Sequence, residues 1–572
     1  MANLNVDSAK QRTYDAIVIG SGMSGGWAAK EFTEKGLNTL MLERGRDVKH
    51  NINYPTTNMY PWEFEHRGEV SYDIQQANPV ISRCYAFKED AMHFFVKDTE
   101  HPYIQDKPFD WIRGYQVGGK SLMWARQTQR WSEYDFEGPA RDGFAVDWPI
   151  RYKDIAPWYS YVEKFAGISG NKDGLDNLPD GEFLPAFPLN SVENYFSKVV
   201  NSNYPGRNVI SARCAHLSVP QPVHIQQGRV QCQKRVLCQR GCPFGGYFSA
   251  NSTTIPWALR TGKLTLRPYS VVQEVIYDDK KGKATGVRIM DAQTKQVIEY
   301  YAKVIFVNAA AINTNLVLLN SKSQRFPNGL GNDSGVLGKY VAFHNYSARI
   351  SAEYDGDMEW TTDGRNPAGG GYIPRFRNVK KQETGFLRGY AAGFSAHRGT
   401  DTDSSGVGKS LKENLANPTL SNWKVGSHMM AETIPKETNT LTLDTTKKDD
   451  WGVPLLKFNI AYDDNDAKMK QDYFEQMTEM FTKAGFKNIQ TNDSKQAPGL
   501  DIHEMGGARM GNDPKTSMLN RWNQMHACNN VFVTDGACMT STSTQNPSLT
   551  YMALTARAVD YAVSEMKKGN IV

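Results

Sequence analysis

The sequence predicts an α/β protein with a Rossmann-like nucleotide-binding domain and a second, α+β domain built on an antiparallel sheet. Three observations support this fold class. A strand, a glycine-rich turn and a helix follow one another near the N-terminus, a strand and a helix recur at the C-terminus, and alternating apolar and polar residues occupy much of 424–460. The 572 residues suffice for at least two structural units.

The composition is that of a globular protein. Hydrophobic residues make up 40% and charged residues 22% of the chain, and the formal net charge of +5 is spread among interspersed acids and bases. We expect no nucleic-acid partner because there is no basic stripe, and no membrane insertion because no apolar run reaches roughly 18 residues. The first residues lack an apolar signal segment, so no signal peptide is expected.

The first 43 residues have the pattern of a nucleotide-binding βαβ unit. A β-branched run at Tyr14–Gly20 predicts a buried strand, and a second strand at Asn38–Leu42 ends in Glu43. Between them a G-x-G-x-x-G motif is formed by Gly20, Gly22 and Gly25. The glycines permit a tight turn, a close pyrophosphate and a close helix, and Glu43 is placed to accept hydrogen bonds from a ribose. The pattern favours FAD or NAD over NADP.

Apolar spacing predicts further elements along the chain. Strands are expected at Leu264–Ile276, Ala284–Met290, Val297–Val307 and Asn530–Asp535, and helices at Ala309–Asn320 and Leu549–Lys567.

The region between these elements has a different pattern. Gly356–Leu420 is rich in Gly, Ser, Asn and Thr, so we expect mostly loop there, and a lid is one interpretation. One antiparallel sheet with a covering helix at Asp466–Ala484 is then predicted from three alternating segments: Lys424–Thr433, Asn439–Leu443 and Leu455–Ile460.

Three further motifs carry a resemblance to a known family. They are RGYQVGGKSLMWARQTQRW at Arg113–Trp131, HEMGGARMG at His503–Gly511 and NVFVTDGACMTSTSTQNPSLT at Asn530–Thr550. With the N-terminal fingerprint, they resemble the glucose–methanol–choline (GMC) oxidoreductases, in particular the sugar or glucoside dehydrogenase and pyranose oxidase branch. The similarity runs through the chain in order, and the middle third diverges most.

The resemblance implies a GMC fold in which two domains alternate along the chain. The implied segments are 1–75 (FAD-binding), 76–224 (flavin-contacting and substrate domain), 225–345 (FAD-binding, with a cysteine loop), 346–494 (substrate domain and lid) and 495–572 (FAD-binding and catalytic).

The cofactor implied by the resemblance is FAD. In this family a glycine pair, here Gly118 and Gly119, runs beside the flavin, and a late Asp-Gly pair, here Asp535 and Gly536, approaches the pyrophosphate and ribityl chain. Pyranose oxidases link FAD to a histidine where this chain has Met123. A thioether cannot form that bond, so we expect FAD to be held non-covalently.

The same resemblance places two residues beside the flavin N5, His503 and Asn546. Oxidation of a secondary alcohol needs a base for the hydroxyl proton while hydride leaves carbon, and the ordinary histidine pKa of about 6.5 suits that role. Asn546 can orient the hydroxyl without titrating, although its place before Pro547 also suits a simple turn. His344, in a segment near the flavin in relatives, either contributes there or only orders its loop.

Three of the seven cysteines are close together in CQKRVLCQRGCP: Cys232, Cys238 and Cys242. This spacing resembles the loop that binds a three-iron, four-sulfur cluster in multi-subunit FAD sugar dehydrogenases, and three thiolates with a following proline suit iron–sulfur ligation. The chain departs from that motif because Gln233 follows Cys232 and one cysteine is missing. Unligated thiols and a zinc site remain alternatives, and the candidate additional zinc ligands are Cys214, His216 and His224.

These observations lead to three functional hypotheses. The first is an FAD-dependent carbohydrate dehydrogenase that oxidises a secondary ring hydroxyl, preferably at carbon 3 of a pyranose or glycoside, and passes electrons through an iron–sulfur cluster. The second is an oxidase that acts on a sugar or C-glycoside with oxygen, and the third is a non-catalytic flavoprotein subunit. Carbons 1 and 2 remain open as sites of oxidation.

The resemblance also implies partners. Related dehydrogenases work with a small subunit that carries the export signal and with a haem protein that accepts electrons. We therefore expect a small partner subunit and a cytochrome acceptor, with a periplasmic location if that subunit exports the complex and a cytoplasmic one otherwise. A self-sufficient homo-oligomer is the alternative.

Overall fold

The computed structural model describes residues 11–356, 369–401 and 405–571. Its strands of three or more residues are β1 (Thr13–Ile19), β2 (Thr39–Leu42), β3 (Leu264–Arg267), β4 (Ser270–Asp278), β5 (Lys283–Asp291), β6 (Val297–Val307), β7 (Lys339–Ala342), β8 (Ala348–Tyr354), β9 (Gly371–Ile373), β10 (Tyr390–His397), β11 (Trp423–Glu432), β12 (Thr440–Lys448), β13 (Pro454–Asn459), β14 (Lys487–Asp493), β15 (Met505–Gly507) and β16 (Cys528–Val533).

The helices alternate with these strands. They are α1 (Met23–Glu34), α2 (Tyr72–Ala77), α3 (Glu133–Asp142), α4 (Tyr152–Ala166), α5 (Ser191–Asn203), α6 (Pro222–Gln226), α7 (Thr254–Arg260), α8 (Ala311–Asn320), α9 (Lys409–Ala416), α10 (Asp464–Lys483) and α11 (Ser548–Lys567). In the part of the chain that the structure describes, none of them has the length and apolarity that crossing a bilayer requires.

The first large sheet is the predicted nucleotide-binding sheet. Its parallel core has the order β16, β6, β1, β2, β3, and β5 pairs antiparallel with the first half of β6 while β4 pairs with β5. One face is covered by α1 and α11, which bury aromatic and branched residues of the sheet. Strands from three separate parts of the chain therefore build one sheet, and the carboxyl ends of β1 and β2 point to the same edge.

The glycine turn at that edge joins β1 to α1 as the fingerprint predicts. Gly20 has φ of +94°, and a Cβ atom there would lie 2.3 Å from the carbonyl oxygen of Asn308. A Cβ atom at Gly25 would lie 1.9 Å from the carbonyl oxygen of Gly20, so this glycine lets the helix pack onto the turn. The backbone leaves the sheet and enters the helix within three residues.

The second large sheet is antiparallel and has the order β14, β8, β11, β10, β9, with a short strand, Ile210–Ser211, beyond β9. Alternate residues of β11 face opposite sides. Met429 packs toward α10 against Met477 and Phe481, whereas His428 and Met430 line a cavity on the other side. The sheet thus carries a helical layer behind it and a cavity wall in front.

Two details of the predicted strands are wrong. Leu264–Ile276 is not one strand but β3 and β4, separated at Pro268 and Tyr269, because the proline lacks a ladder donor and the tyrosine has φ of +55°. The segments at Asn439–Leu443 and Leu455–Ile460 do not join β11 in one sheet. As β12 and β13 they form a separate three-stranded sheet with Ile104–Gln105, over an aromatic cluster of their own.

The expectation that Gly356–Leu420 is mostly loop is also wrong in part. Its described residues include β9, β10 and α9, and β10 lies inside the second sheet between β11 and β9. The small residues Ala391, Ala392 and Gly393 allow close packing in this strand. A composition rich in small residues therefore does not indicate a loop here. Residues 357–368 and 402–404 lie outside the described residues, and the lid stays a prediction.

The segments implied by the resemblance supply the two large sheets in turn. The first sheet takes β1 and β2 from 1–75, β3 to β6 from 225–345 and β16 from 495–572. In the second sheet β8, β9, β10, β11 and β14 come from 346–494. Ile210–Ser211 comes from 76–224, and His344–Asn345, which pairs with β11, comes from 225–345. The exact segment boundaries stay a prediction.

Candidate active site

A cavity of about 580 Å³ lies between the two large sheets. On one side it is lined by the glycine turn after β1, by the end of β2 and by the start of α8. On the other side it is lined by the cavity face of β10 and β11. Its volume is that of a ligand site, and the sheet edge that opens into it is where nucleotides bind in folds of this class.

Glu43 lies in the cavity wall at the end of β2, as predicted. One carboxylate oxygen accepts hydrogen bonds from the backbone N–H and the hydroxyl of Ser21, and the other accepts the N–H of Gly45 at 3.0 Å. Burial raises the pKa of this carboxyl group, and the hydrogen bonds from Ser21 oppose that rise. The arrangement holds the carboxylate rigidly, with lone pairs left for a ligand.

The N-terminus of α1 opens into the same part of the cavity. Gly22 precedes the helix with no capping side chain, and the first turn contains no acidic residue. A Cβ atom at Gly22 would have no neighbour within 4 Å, so the space beside it is free. Uncapped backbone N–H groups and the helix dipole suit a pyrophosphate, and the residues present therefore fit the nucleotide part of FAD.

The two glycines of the second pair, Gly118 and Gly119, have different roles. Gly119 lines the cavity, but Gly118 lies behind it, with φ of +89° and its N–H donated to the Ser21 hydroxyl at 3.0 Å. A Cβ atom at Gly118 would overlap the side-chain oxygen of Asn251. Among the predicted cofactor residues, Gly25 and Gly118 therefore shape the backbone, while Gly20, Gly22 and Gly119 face the cavity.

Asp535 and Gly536 reach the cavity from the end of β16. The carboxylate of Asp535 accepts the Thr314 hydroxyl at 2.6 Å and the N–H of Ala537 at 3.0 Å, and burial raises its pKa to about 6. A Cβ atom at Gly536 would lie 2.4 Å from the carbonyl oxygen of Glu504, so only glycine fits there. No sequence motif predicted that Thr314, which lies in α8, would bind Asp535.

His503 and Asn546 are brought together at the far end of this cavity. The Asn546 amide nitrogen lies 3.1 Å from His503 Nε2, and His503 Nδ1 lies 2.9 Å from Nδ1 of His344. His503 lies at the start of the C-terminal region, Asn546 in the turn before α11, and His344 in a short strand after β7. His344, for which the sequence left two interpretations, is therefore in direct contact with His503.

The hydrogen-bond partners of His344 determine which nitrogen of His503 is basic. His344 Nε2 lies 3.1 and 3.0 Å from the carbonyl oxygens of Thr542 and Ser543, so it must donate its proton to them. Its Nδ1 is then an acceptor, and the 2.9 Å contact requires His503 Nδ1 to carry hydrogen. His503 Nε2 therefore carries no hydrogen, and its lone pair accepts an N–H of the Asn546 amide at 3.1 Å. A substrate hydroxyl that replaces this contact can donate its proton there.

Asp501 fixes the backbone positions of the two histidines relative to each other. One carboxylate oxygen accepts the backbone N–H of His344 at 3.0 Å and that of His503 at 3.1 Å. Burial raises the Asp501 pKa to about 7, although both backbone N–H groups oppose this. The three residues also have the proximity of a metal site, with donor atoms within 4.8 Å of one another. Because the histidine nitrogens share a hydrogen bond, we interpret the group as an acid–base site.

Met123 and two tryptophans line the cavity. Met123 is buried beside Gly114, which suits the packing role expected for it. Trp111 and Trp124 form part of the wall, whereas Trp131 and Trp148 pack in the core with ring centres 5.8 Å apart. Non-covalent attachment of FAD stays a prediction.

The three clustered cysteines lie on a half-buried loop behind the cavity wall. Cys232 packs against a hydrophobic cluster that includes Tyr372, and Tyr372 lines the cavity. Cys238 Sγ lies 3.7 Å from His216 Nε2, and Cys242 Sγ accepts the N–H of Gly246 at 3.4 Å. The loop is thus linked to the cavity wall through this hydrophobic cluster.

The zinc alternative does not fit this arrangement. In the described chain the three Sγ atoms do not lie within 4.8 Å of one another, whereas a zinc ion holds its sulfur ligands about 2.3 Å away. His224 is wrong as a ligand because Nδ1 accepts the N–H of Gln221 at 2.9 Å and Nε2 donates to the carbonyl of Lys164 at 3.1 Å. Both of its nitrogens are already used.

Profiles of the GMC oxidoreductases match residues 14–344 with their N-terminal part and residues 435–555 with their C-terminal part. The chain belongs to the GMC oxidoreductase family. The resemblance identified from the motifs is therefore confirmed, and so are the α/β fold class with a second sheet domain and the oxidation of CH–OH groups. Membership implies FAD as the cofactor.

Relatives align over nearly the whole chain. 2-Methyl-1,2-propanediol dehydrogenase of Mycolicibacterium austroafricanum is 28% identical over 96% of this chain and 94% of the relative. The fructose dehydrogenase large subunit of Gluconobacter japonicus is 25% identical over 97% and 98%. The fold is similar to that of pyridoxine 4-oxidase from Mesorbium loti, with a TM-score of 0.59, 14% identity and coverage of 96% and 99%.

Replacement of His503 tests the acid–base site. We expect His503→Ala to lower kcat by at least about 10²-fold with FAD still bound, because the proton acceptor is lost. His344→Leu should lower kcat less, and His344→Asn should recover part of the loss, since the asparagine oxygen can accept the His503 Nδ1 proton. Steady-state kinetics with the flavin content of each variant measure this, and equal rates for the two His344 variants would contradict the hydrogen-bond chain.

The pH dependence follows from the burial of His503. Burial lowers its pKa well below 6.5, and His344 and Lys120 lower it further. The neutral form is the base, so a lowered pKa keeps it available at more acidic pH than for an exposed histidine. We expect kcat/KM, followed from about pH 5 to pH 8, to fall only below pH 6.5. An acidic limb centred above that value would contradict this.

Proposed function

We propose that the protein is an FAD-dependent carbohydrate dehydrogenase that oxidises a secondary ring hydroxyl of a pyranose or glycoside, preferably at carbon 3. The observation that carries this proposal is that His503 Nε2 is the unprotonated, accepting nitrogen of the ring and lies 3.1 Å from the Asn546 amide nitrogen. The proposal includes electron exit through an iron–sulfur cluster on the cysteine loop. The relative named as a fructose dehydrogenase large subunit supports the substrate class, and the relative named 2-methyl-1,2-propanediol dehydrogenase supports alcohol oxidation.

The site residues divide the work of alcohol oxidation. FAD, when bound, accepts the hydride from carbon. Asn546 donates a hydrogen bond to the substrate oxygen, and His503 Nε2 takes the hydroxyl proton as the C–H bond breaks and the carbonyl forms. His344 keeps the His503 lone pair on the correct nitrogen, and Asp501 fixes the backbone of both histidines.

The substrate end of the cavity suits a hydroxylated ring. Tyr346 and His428 form an edge-to-face pair with ring centres 5.0 Å apart, and Tyr372 has a hydroxyl group without a hydrogen-bond partner among the described residues. Burial lowers the His428 pKa to about 4, so its imidazole is neutral. Neutral polar groups and aromatic faces bind hydroxyl groups and ring C–H surfaces. Carbon 3 is preferred by resemblance to soluble glucoside 3-dehydrogenases.

The donor set of the cysteine loop supports a three-iron, four-sulfur cluster. Three half-buried thiols share one short loop, and burial raises the pKa of Cys232 to about 11. Ligation by iron removes such thiol protons. The proposal requires the loop to lie near enough to the cavity to receive electrons and near enough to the surface to pass them on.

The electron route also leads to the proposed partners. The fructose dehydrogenase relative is named as a large subunit, which supports a further subunit for this chain. We include a small partner subunit and a cytochrome acceptor in the proposal. The location that goes with it is periplasmic if the subunit exports the complex, and cytoplasmic otherwise.

The substrate is tested with glucose and methyl glucoside, using a dye acceptor under nitrogen. Oxidation at carbon 3 predicts kcat/KM values within about tenfold of each other, because the methyl group blocks only carbon 1. Reaction of glucose alone contradicts carbon 3. Peroxide formed in air as fast as dye is reduced would favour the oxidase, and no reaction from an FAD-loaded chain would favour a non-catalytic subunit.

The electron route is tested with Cys238→Ser. We expect sugar to bleach the flavin as in the wild type while turnover with a protein acceptor falls at least about tenfold, because the serine hydroxyl is a poor iron ligand. The matched control is Cys528→Ser, whose thiol is buried in the first sheet away from the loop. If both half-reactions survive in Cys238→Ser, the cysteines do not carry electrons.

A further inference from the structure

The turn that precedes α11 is closed by the side chain of Gln545. Only 1% of this residue is exposed. Its Oε1 atom accepts the hydroxyl of Ser543 and the backbone N–H of Thr544, the latter at 3.2 Å, and its Nε2 atom donates to a carboxylate oxygen of Asp135 at 3.3 Å. The two ends of the amide are not interchangeable, because the N–H needs an oxygen and the carboxylate needs a donor. One side chain therefore ties residues 543–545 to each other and to α3.

Ser543 is held in a conformation that serine rarely adopts. Its φ is +58°, in the left-handed region, which is unfavourable for a residue with a Cβ atom and persists only where the surroundings enforce it. Its hydroxyl donates to Oε1 of Gln545 and lies 3.4 Å from the backbone nitrogen of that residue. In this conformation the Ser543 carbonyl oxygen lies 3.0 Å from Nε2 of His344. The strained residue is therefore one that fixes the tautomer of His344.

The far anchor of Gln545 belongs to a buried ionic network that also reaches the strand of His344. Asp135 Oδ1 lies 3.6 Å from Nη1 of Arg375, and that nitrogen lies 3.8 Å from a carboxylate oxygen of Glu432. All three residues are at most 3% exposed. Glu432 pairs with His344 in the antiparallel ladder between β11 and His344–Asn345. The amide of Gln545 thus links the turn to the same framework that carries the histidine.

We propose that Gln545 is a positioning residue for the acid–base site. Its amide keeps Ser543 in the left-handed conformation, which directs the Ser543 carbonyl at the Nε2 proton of His344. Without the amide the serine adopts an ordinary backbone conformation, the carbonyl turns away, and the proton of His344 is no longer confined to Nε2. A His344 that carries its proton on Nδ1 donates it to His503, whose own proton then lies on Nε2, and the base is lost. This inference rests on the role of His503 in the proposed function.

The first test removes the amide and then restores the conformation by other means. Gln545→Met keeps the length of the side chain without its hydrogen bonds, and we expect kcat to fall at least about tenfold with FAD still bound. Addition of Ser543→Gly should recover part of this loss, because glycine adopts the left-handed region without support. Thr544→Gly in the same background is the matched control and should recover nothing, since Thr544 does not have a positive φ. Gln524→Met removes another buried glutamine, in the first sheet, and should change kcat little.

A second pair of variants keeps Gln545 in place and decides the inference if Gln545→Met does not fold. Ser543→Ala and Ser543→Gly both remove the hydroxyl group, but only glycine is free of left-handed strain. We therefore expect the kcat of Ser543→Gly to exceed that of Ser543→Ala.

The tautomer is followed without substrate by nitrogen-15 NMR of FAD-loaded protein labelled at histidine. The signals of His344 are assigned by their loss in His344→Leu. We expect His344 to be protonated on Nε2 in wild type and to show a mixture of tautomers in Gln545→Met and Ser543→Ala, with Ser543→Gly closer to wild type.

The outcomes separate this inference from the proposed function. An unchanged kcat or an unchanged tautomer in Gln545→Met overturns the inference alone. A loss that Ser543→Gly does not relieve also overturns it, since Gln545 then acts by another route, and so do equal kcat values for Ser543→Ala and Ser543→Gly. If wild type loaded with FAD oxidises no sugar, the proposed function fails, and the NMR spectra by themselves decide whether Gln545 sets the tautomer.

Discussion

The hydrogen bond between the Nδ1 atoms of His344 and His503 connects the parts of this molecule that must meet for chemistry. His344 lies where the chain passes from the first sheet toward the second, and His503 begins the region that returns to the first sheet. Asp501 binds the backbone of both, and the carbonyl groups of 542–543 set the tautomer of His344. One polar cluster therefore connects these segments and sets the basic nitrogen.

The rest of the site depends on close backbone approach. Gly20, Gly25, Gly118 and Gly536 each lie where a Cβ atom would collide with backbone or a buried side chain. These contacts bring the end of β1, the start of α1 and the end of β16 around one cavity. Side chains such as Asn251 and Thr314 then fill the remaining hydrogen bonds, so the cofactor end of the cavity is rigid before any ligand arrives.

The cysteine loop is attached to the site through packing and not through a strand of either sheet. Cys232 packs against the hydrophobic cluster that contains Tyr372, and Tyr372 lines the cavity. Cys238 lies 3.7 Å from His216 Nε2, so the loop also has a polar contact to the segment that follows Ile210–Ser211.

The sequence by itself determined the βαβ unit, the glycine turn and Glu43, because these depend on local spacing and on strand and helix periodicity. That His503 and Asn546 act together was implied only by the resemblance to the family's motifs. The sequence misassigned β10 as loop and merged two sheets, since strand pairing joins residues far apart in the chain and small residues resemble loop composition. Only the tertiary structure decided the basic nitrogen of His503. It follows from the contact between the His344 and His503 side chains, which are far apart in the chain, and no local pattern records it.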